Sequence, residues 1–176
     1  DTGTVAADHY HRWESDIELM NQLGLDAYRL SLSWSRILPT GSGAVNAKGL
    51  DFYDRLIDRL CSVGITPAVT LFHWDLPLAL QEQGGWMNRD TSYRLGEYAQ
   101  VVGERLSDRV GMWMPLNEPV VHTLYGHALG VHAPGLALGF EAFQAAHHQL
   151  LGHGLAVEAL RATGCTNIGI ASNHAP

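Results

Sequence analysis

An acid, an amide, an imidazole and an indole stand in two short stretches of this 176-residue chain, Leu116-Asn117-Glu118-Pro119 and Phe72-His73-Trp74-Asp75-Leu76-Pro77. The first closes the apolar run Gly111-Met112-Trp113-Met114, which reads as a strand, and the second ends the strand one βα unit earlier. A carboxylic acid delivered by a strand end can protonate a glycosidic oxygen. The amide and imidazole can hold hydroxyl groups, and the indole can stack on a sugar face. The competing readings are a solvated loop acid for Glu118, a loop-capping amide for Asn117 and a packed corner for His73 and Trp74.

Four helix and strand pairs must position these groups. Ile17, Met20 and Leu23 trace a helical stripe that stops at Gly24, and Ala27 to Trp34 then alternates between two faces. That alternation sets Arg29, Ser31 and Ser33 opposite Tyr28, Leu30, Leu32 and Trp34, so an inward Arg29 is expected, with a structural salt bridge as its alternative. Tyr53, Leu56, Ile57, Leu60 and Cys61 repeat at helical spacing up to Gly64, followed by the apolar strand Ala68 to Phe72. Leu95, Tyr98, Ala99, Val102 and Leu106 mark a third helix before the strand Met112 to Leu116, and a fourth, Glu141 to Ala162, precedes Ile168 to Ser172.

Gly152 and Gly154 each cost that last helix roughly 1 kcal/mol against Ala, which predicts a close helix-sheet contact. Pro115 has no N–H for a sheet ladder and predicts a bulge or an early strand end. Adjacent parallel strands in chain order would gather His73, Asn117 and Glu118 at one rim. The class is α/β, and the alternation fits either an open doubly wound sheet or a closed (β/α)₈ barrel.

Composition narrows the partners. The formal net charge is −7 and the pI about 5.7, which argues against nucleic acid and admits a neutral small molecule. Two cysteines, Cys61 and Cys165, with Cys61 assigned to an apolar helix face, make a disulfide framework improbable and fit a reducing, cytoplasmic compartment. No apolar run approaches the roughly 18 residues of a membrane helix. Among ten histidines, His9 with His11, His147 with His148, and His122, His127 and His132 invite a metal reading, but none has the helical His pair plus acid of a zinc hydrolase. No metal and no organic cofactor is expected, and no pattern sets an oligomeric state.

Asp8-His9-Tyr10-His11-Arg12, Tyr28-Arg29-Leu30-Ser31, Trp34-Ser35-Arg36-Ile37-Leu38-Pro39, Gly49-Leu50-Asp51-Phe52-Tyr53-Asp54, Gly84-Gly85-Trp86, Asn117-Glu118-Pro119 and His132-Ala133-Pro134-Gly135 follow one another along nearly the whole chain. This ordered set resembles glycoside hydrolase family 1, the β-glucosidase family of retaining enzymes. The resemblance implies a TIM barrel, of which this chain would supply approximately strands two to five. Since a barrel takes about 250 residues, residues 1–176 would be an internal part of one barrel domain, incomplete at both ends.

The resemblance also implies hydrolysis of terminal non-reducing β-linked glucosyl or galactosyl units. Glu118 would be the acid/base and Asn117 the ligand of the sugar 2-hydroxyl. His73 and Trp74 would bind toward the 3-hydroxyl, and Arg29 would lie against the nucleophile. That nucleophile is a Glu late in the barrel with no matching motif here, so the stretch alone is expected to be inactive. The alternatives are a noncatalytic sugar-binding barrel and, within the family, a phospho-β-glycosidase. Two positions depart from the family pattern: Pro115 replaces a small hydroxyl residue and Ala7 a cysteine.

Overall fold

The computed structural model describes residues 6–174. In chain order the elements are α1 (His9–Gln22), β1 (Ala27–Ser31), α2 (Trp34–Ile37), α3 (Ala47–Ser62), β2 (Thr66–Phe72), α4 (Leu78–Gln81), α5 (Asp90–Leu106), β3 (Met112–Leu116), α6 (Pro119–Val121) and α7 (Phe143–Ala162). A π-helical segment, His122–Ala128, continues α6, and a 3₁₀ turn, Gly139–Ala142, leads into α7. The three strands are parallel in the order β1-β2-β3.

Hydrophobic periodicity accounts for the helix layer. Leu95, Tyr98, Ala99, Val102 and Leu106 of α5 are all buried, as are Phe52, Tyr53, Leu56, Ile57 and Leu60 of α3. They meet Leu30, Val69, Leu71 and Trp113, the strand residues on the alternate positions, in one core. Burying each such aliphatic side chain contributes roughly 1.5–3 kcal/mol. The register Arg29↔Ala68↔Met112 and Ser31↔Thr70↔Met114 defines the opposite face of the sheet. Arg29, Ser31 and Met112 are exposed on it.

Several expectations are corrected. β1 stops at Ser31, and Trp34 starts a helical turn instead of ending a strand. The reason is packing: the Trp34 indole enters the core and stacks on Tyr98 at 5.1 Å with the planes 5° apart. β2 starts at Thr66 and so includes Pro67. Cys61 is exposed on α3 rather than on its apolar face, since the buried stripe runs through Tyr53, Leu56, Ile57 and Leu60 and leaves Cys61 beside it.

Ile168 to Ser172 forms no continuous strand. It runs beside β3 and is joined by two isolated parallel bridges, Trp113↔Ile168 and Asn117↔Ala171. Four steps along β3 match three along its neighbour, so β3 carries one extra residue in that interval. Pro115 lies inside it. Trp113 exchanges bonds with Asn167 and Gly169, Pro115 has no N–H to offer, and pairing resumes only where Ala171 bonds Leu116 and Glu118. The bulge expected from Pro115 therefore falls on the ladder to the fourth segment, while the β2 ladder keeps its register through Leu116 and skips only the pair at Pro115.

Gly152 does mark a close contact, but between helices. A β-carbon there would meet Leu95 Cδ2 at 3.2 Å and both Ser92 Cα and Trp86 Cζ3 at 3.3 Å. Gly154 faces open space, so the expected contact is absent at that position.

Candidate active site

Parallel pairing of Phe72 with Leu116 brings the next residues of both strands, His73 and Asn117, to one rim. The Asn117 N–H donates to the Phe72 carbonyl at 3.0 Å and the Glu118 N–H to the Ala171 carbonyl at 2.7 Å. Glu118 then takes a left-handed conformation, φ 44° and ψ 59°, directly before Pro119, the first residue of α6. Trp74 also has positive φ, 77°. Such backbone costs about 1–3 kcal/mol for a non-glycine residue and persists only where the surroundings over-determine it.

Those surroundings are identifiable. The Trp74 indole N–H donates to the backbone carbonyl of Asn117 at 2.9 Å. Arg29 donates from Nε and Nη2 to Thr70 Oγ1, at 3.1 and 3.0 Å, and from Nη2 to Asn117 Oδ1 at 2.5 Å. With Oδ1 occupied by a cation, the Asn117 amide presents its NH₂ to the rim, where it donates to Glu118 Oε2 at 3.4 Å. Asn173 Nδ2 donates to the other carboxyl oxygen at 3.3 Å. Glu118 is half-buried, Asn117 buried and His73 exposed.

The His73 Nδ1 lies 2.8 Å from Ser31 Oγ, leaving Nε2 toward the rim. Partial burial and then the Arg29 charge depress its pKa below the ordinary histidine range, against an opposing pull from Glu118. A neutral imidazole follows near pH 7, able to donate or accept. The arrangement is an acid with two amide donors, a neutral imidazole and a half-buried indole on one rim, with the arginine reaching it from β1.

All five residues expected at the site, Arg29, His73, Trp74, Asn117 and Glu118, are therefore drawn into one neighbourhood, His73 through its ring, which meets the Trp74 indole edge-on with 5.4 Å between centroids. Thr70, which anchors Arg29, and Asn173, which touches the acid, were not anticipated. A solitary hydroxyl in the apolar strand Ala68 to Phe72 was the available signal for Thr70. Of the histidine groups, His9 bonds Asp16 at 2.6 Å, His11 bonds Asp8 at 2.7 Å, and His122 and His127 are buried. Among the described residues no three potential metal ligands gather, and no helix is long and apolar enough to cross a membrane.

Residues 1–176 match the family model described as glycosyl hydrolase family 1. The chain is 55% identical over 163 residues to beta-glucosidase A of Thermotoga maritima, covering 93% of this chain and 36% of that protein. It is 49% identical over 176 residues to a bifunctional beta-D-glucosidase/beta-D-fucosidase of Bifidobacterium breve, covering 97% of this chain and 38% of that protein. A solved family 1 β-glucosidase from Thermotoga maritima superposes with a TM-score of 0.96 at 53% identity, over 99% of this chain and 40% of that one. The chain thus spans 36% to 40% of the length of these relatives.

Proposed function

The chain belongs to glycosyl hydrolase family 1, and from that membership we propose that it forms the acid/base part of a retaining β-glycosidase acting on terminal β-linked glucosyl or galactosyl units of small-molecule glycosides. The relatives named as β-glucosidases support the reaction class. The observation that carries the site assignment is the chain of bonds Arg29–Asn117–Glu118 on the rim that also holds Trp74.

The sheet corresponds, in this proposal, to approximately strands two to five of a single (β/α)₈ barrel domain. Its support is the parallel order, the helices packed on one face and the opposite face, on which Arg29, Ser31 and Met112 are exposed. Active sites of that architecture lie at the C-terminal ends of the strands, where Glu118 and His73 stand.

In the first half-reaction Glu118 donates its proton to the glycosidic oxygen while a second carboxylate attacks the anomeric carbon and the aglycone leaves. We assign that nucleophile to a part of the complete polypeptide that this chain does not match. Arg29 would lie against it. In the second half-reaction the Glu118 carboxylate takes a proton from water as the water oxygen attacks the anomeric carbon and displaces the nucleophile. Two inversions give net retention.

Asn117, with its amide turned by Arg29, donates toward the sugar 2-hydroxyl, a bond that strengthens as the oxocarbenium-like transition state forms. His73 and Trp74 bind toward the 3-hydroxyl. Glu118→Ala in the complete protein tests the assignment. Hydrolysis of cellobiose should collapse, whereas an aryl glycoside with an acidic phenol should still form the glycosyl-enzyme, and azide should release it as the β-glycosyl azide. Unchanged cellobiose turnover would remove Glu118 from the role.

A further inference from the structure

His122 takes no part in the reaction just described, yet it touches both strained residues of the site. It opens the π-helical segment four residues after Glu118, and its backbone N–H donates to the Glu118 carbonyl at 3.1 Å. The imidazole is 3% exposed and lies 18° from the plane of the Trp74 indole, with 6.4 Å between centroids. It packs edge-on against Phe72 at 5.2 Å and His127 at 4.9 Å.

A buried glutamine holds the ring. Gln149 of α7 donates through Nε2 to Thr123 Oγ1 at 3.0 Å and the Ala145 carbonyl at 3.3 Å, so its Oε1 is the atom 3.3 Å from His122 Nδ1. Nδ1 is then the protonated nitrogen and donates to that oxygen. α7 is tied into the core through Gly152 and Ala156, which makes it a firm anchor.

We infer that His122 is a positioning residue: its ring backs the Trp74 indole and closes a circuit that holds the peptide groups on both sides of the Glu118 α-carbon. The circuit runs from the Glu118 carbonyl to the His122 N–H, from the His122 ring to the Trp74 ring, and from the Trp74 indole N–H to the Asn117 carbonyl. Both positive-φ residues of the site, Trp74 and Glu118, are members. A histidine that merely fills core volume would account for the burial and for the backbone bond to Glu118, but not for a ring held by Gln149 and set nearly parallel to the indole that donates to the Asn117 carbonyl. Without the ring the indole can tilt, its N–H leaves the Asn117 carbonyl, and the carboxyl of Glu118 loses its aim. The consequence for turnover rests on the glycosidase reading; the effect on Trp74 does not.

The test uses the complete protein with ¹⁵N-labelled tryptophan, the Trp74 indole resonance being assigned by its loss in Trp74→Phe. His122→Leu removes the aromatic face while keeping apolar volume, His122→Phe restores the face, and Gln149→Met frees the ring from α7. Hydrogen exchange of the Trp74 indole should accelerate roughly tenfold or more in His122→Leu and by a smaller factor in Gln149→Met, and return to within about threefold of the parent in His122→Phe. The kcat on an aryl β-glucoside should fall roughly tenfold in His122→Leu, by a larger factor than KM rises, and recover in His122→Phe. Unchanged indole exchange in His122→Leu overturns the inference. Should that variant not fold, unchanged exchange in Gln149→Met does so, as does a His122→Phe protein exchanging as fast as the leucine variant. A parent protein that hydrolyses no β-glucoside would sink the glycosidase reading, while the exchange rates would still decide the role of His122.

Discussion

Arg29 donates to the side-chain oxygen of Asn117 at 2.5 Å, crossing β2 to join residues 88 positions apart. One cation thereby selects which end of the amide faces the rim. An asparagine free to flip could instead turn its oxygen toward a sugar hydroxyl and toward the Glu118 carboxylate, which that oxygen would repel.

Arg29→Met should therefore act through Asn117 as well as through any lost charge. We expect kcat/KM for a β-glucoside to fall about 10–100-fold, the size of one charged hydrogen bond of about 1.5–3 kcal/mol. The penalty for a 2-deoxy substrate should shrink in the same variant, because the bond to the 2-hydroxyl is already impaired. Steady-state kinetics on the glucoside and 2-deoxyglucoside pair measures this, and an undiminished 2-deoxy penalty contradicts it.

The imidazole of His73 reports the charges around it. Its pKa is lowered by burial first, then by Arg29, and is raised by Glu118. NMR titration should move its midpoint up in Arg29→Met and down in Glu118→Gln. Shifts of the opposite sign would place His73 outside this electrostatic neighbourhood.

Acid should weaken the fold through His122, whose pKa drops from 6.5 to about 4, mainly by burial and then by His127, with His132 adding to it and the Gln149 bond opposing. The unfolded chain binds this proton at higher pH than the folded one. Stability is thus unaffected above about 6.5, falls as pH drops through the window, and levels off below about 4. The loss should be at most about 3 kcal/mol. Urea midpoints from pH 7 to 4 should fall more steeply for the parent than for His122→Phe; parallel curves would refute the prediction.

Two glycines on one helix should respond in opposite directions. Gly152→Ala sets a β-carbon against the α5 backbone at Ser92 and the rigid Trp86 ring, at a cost of about 1 kcal/mol or more despite better helix propensity. Gly154→Ala meets nothing within 4 Å and should stabilise by up to about 1 kcal/mol. Thermal or chemical denaturation of the two variants separates them, and a stabilised Gly152→Ala would show that α5 yields.

The amino-acid order by itself determined the main buried stripe of each long amphipathic helix and the presence and order of the three central strands. The buried stripe of α5 can be read directly because its burial repeats with the local period of 3.6, and β3 because Met112 to Leu116 is one short apolar run, buried from Trp113 onward. It also carried the family motifs, and with them the acid. Only the tertiary structure decided what the motif residues touch. Arg29 meets Asn117, and Trp74 meets His122, through strand register and the path of the segment after Glu118, neither of which has a local period. Pro115 announced a break in a ladder but not which ladder, since a strand's two edges look alike until its neighbours are in place. Cys61 and Gly154 were misplaced for the same reason: spacing names a face of a helix, but the neighbour that covers it is set by packing at long range.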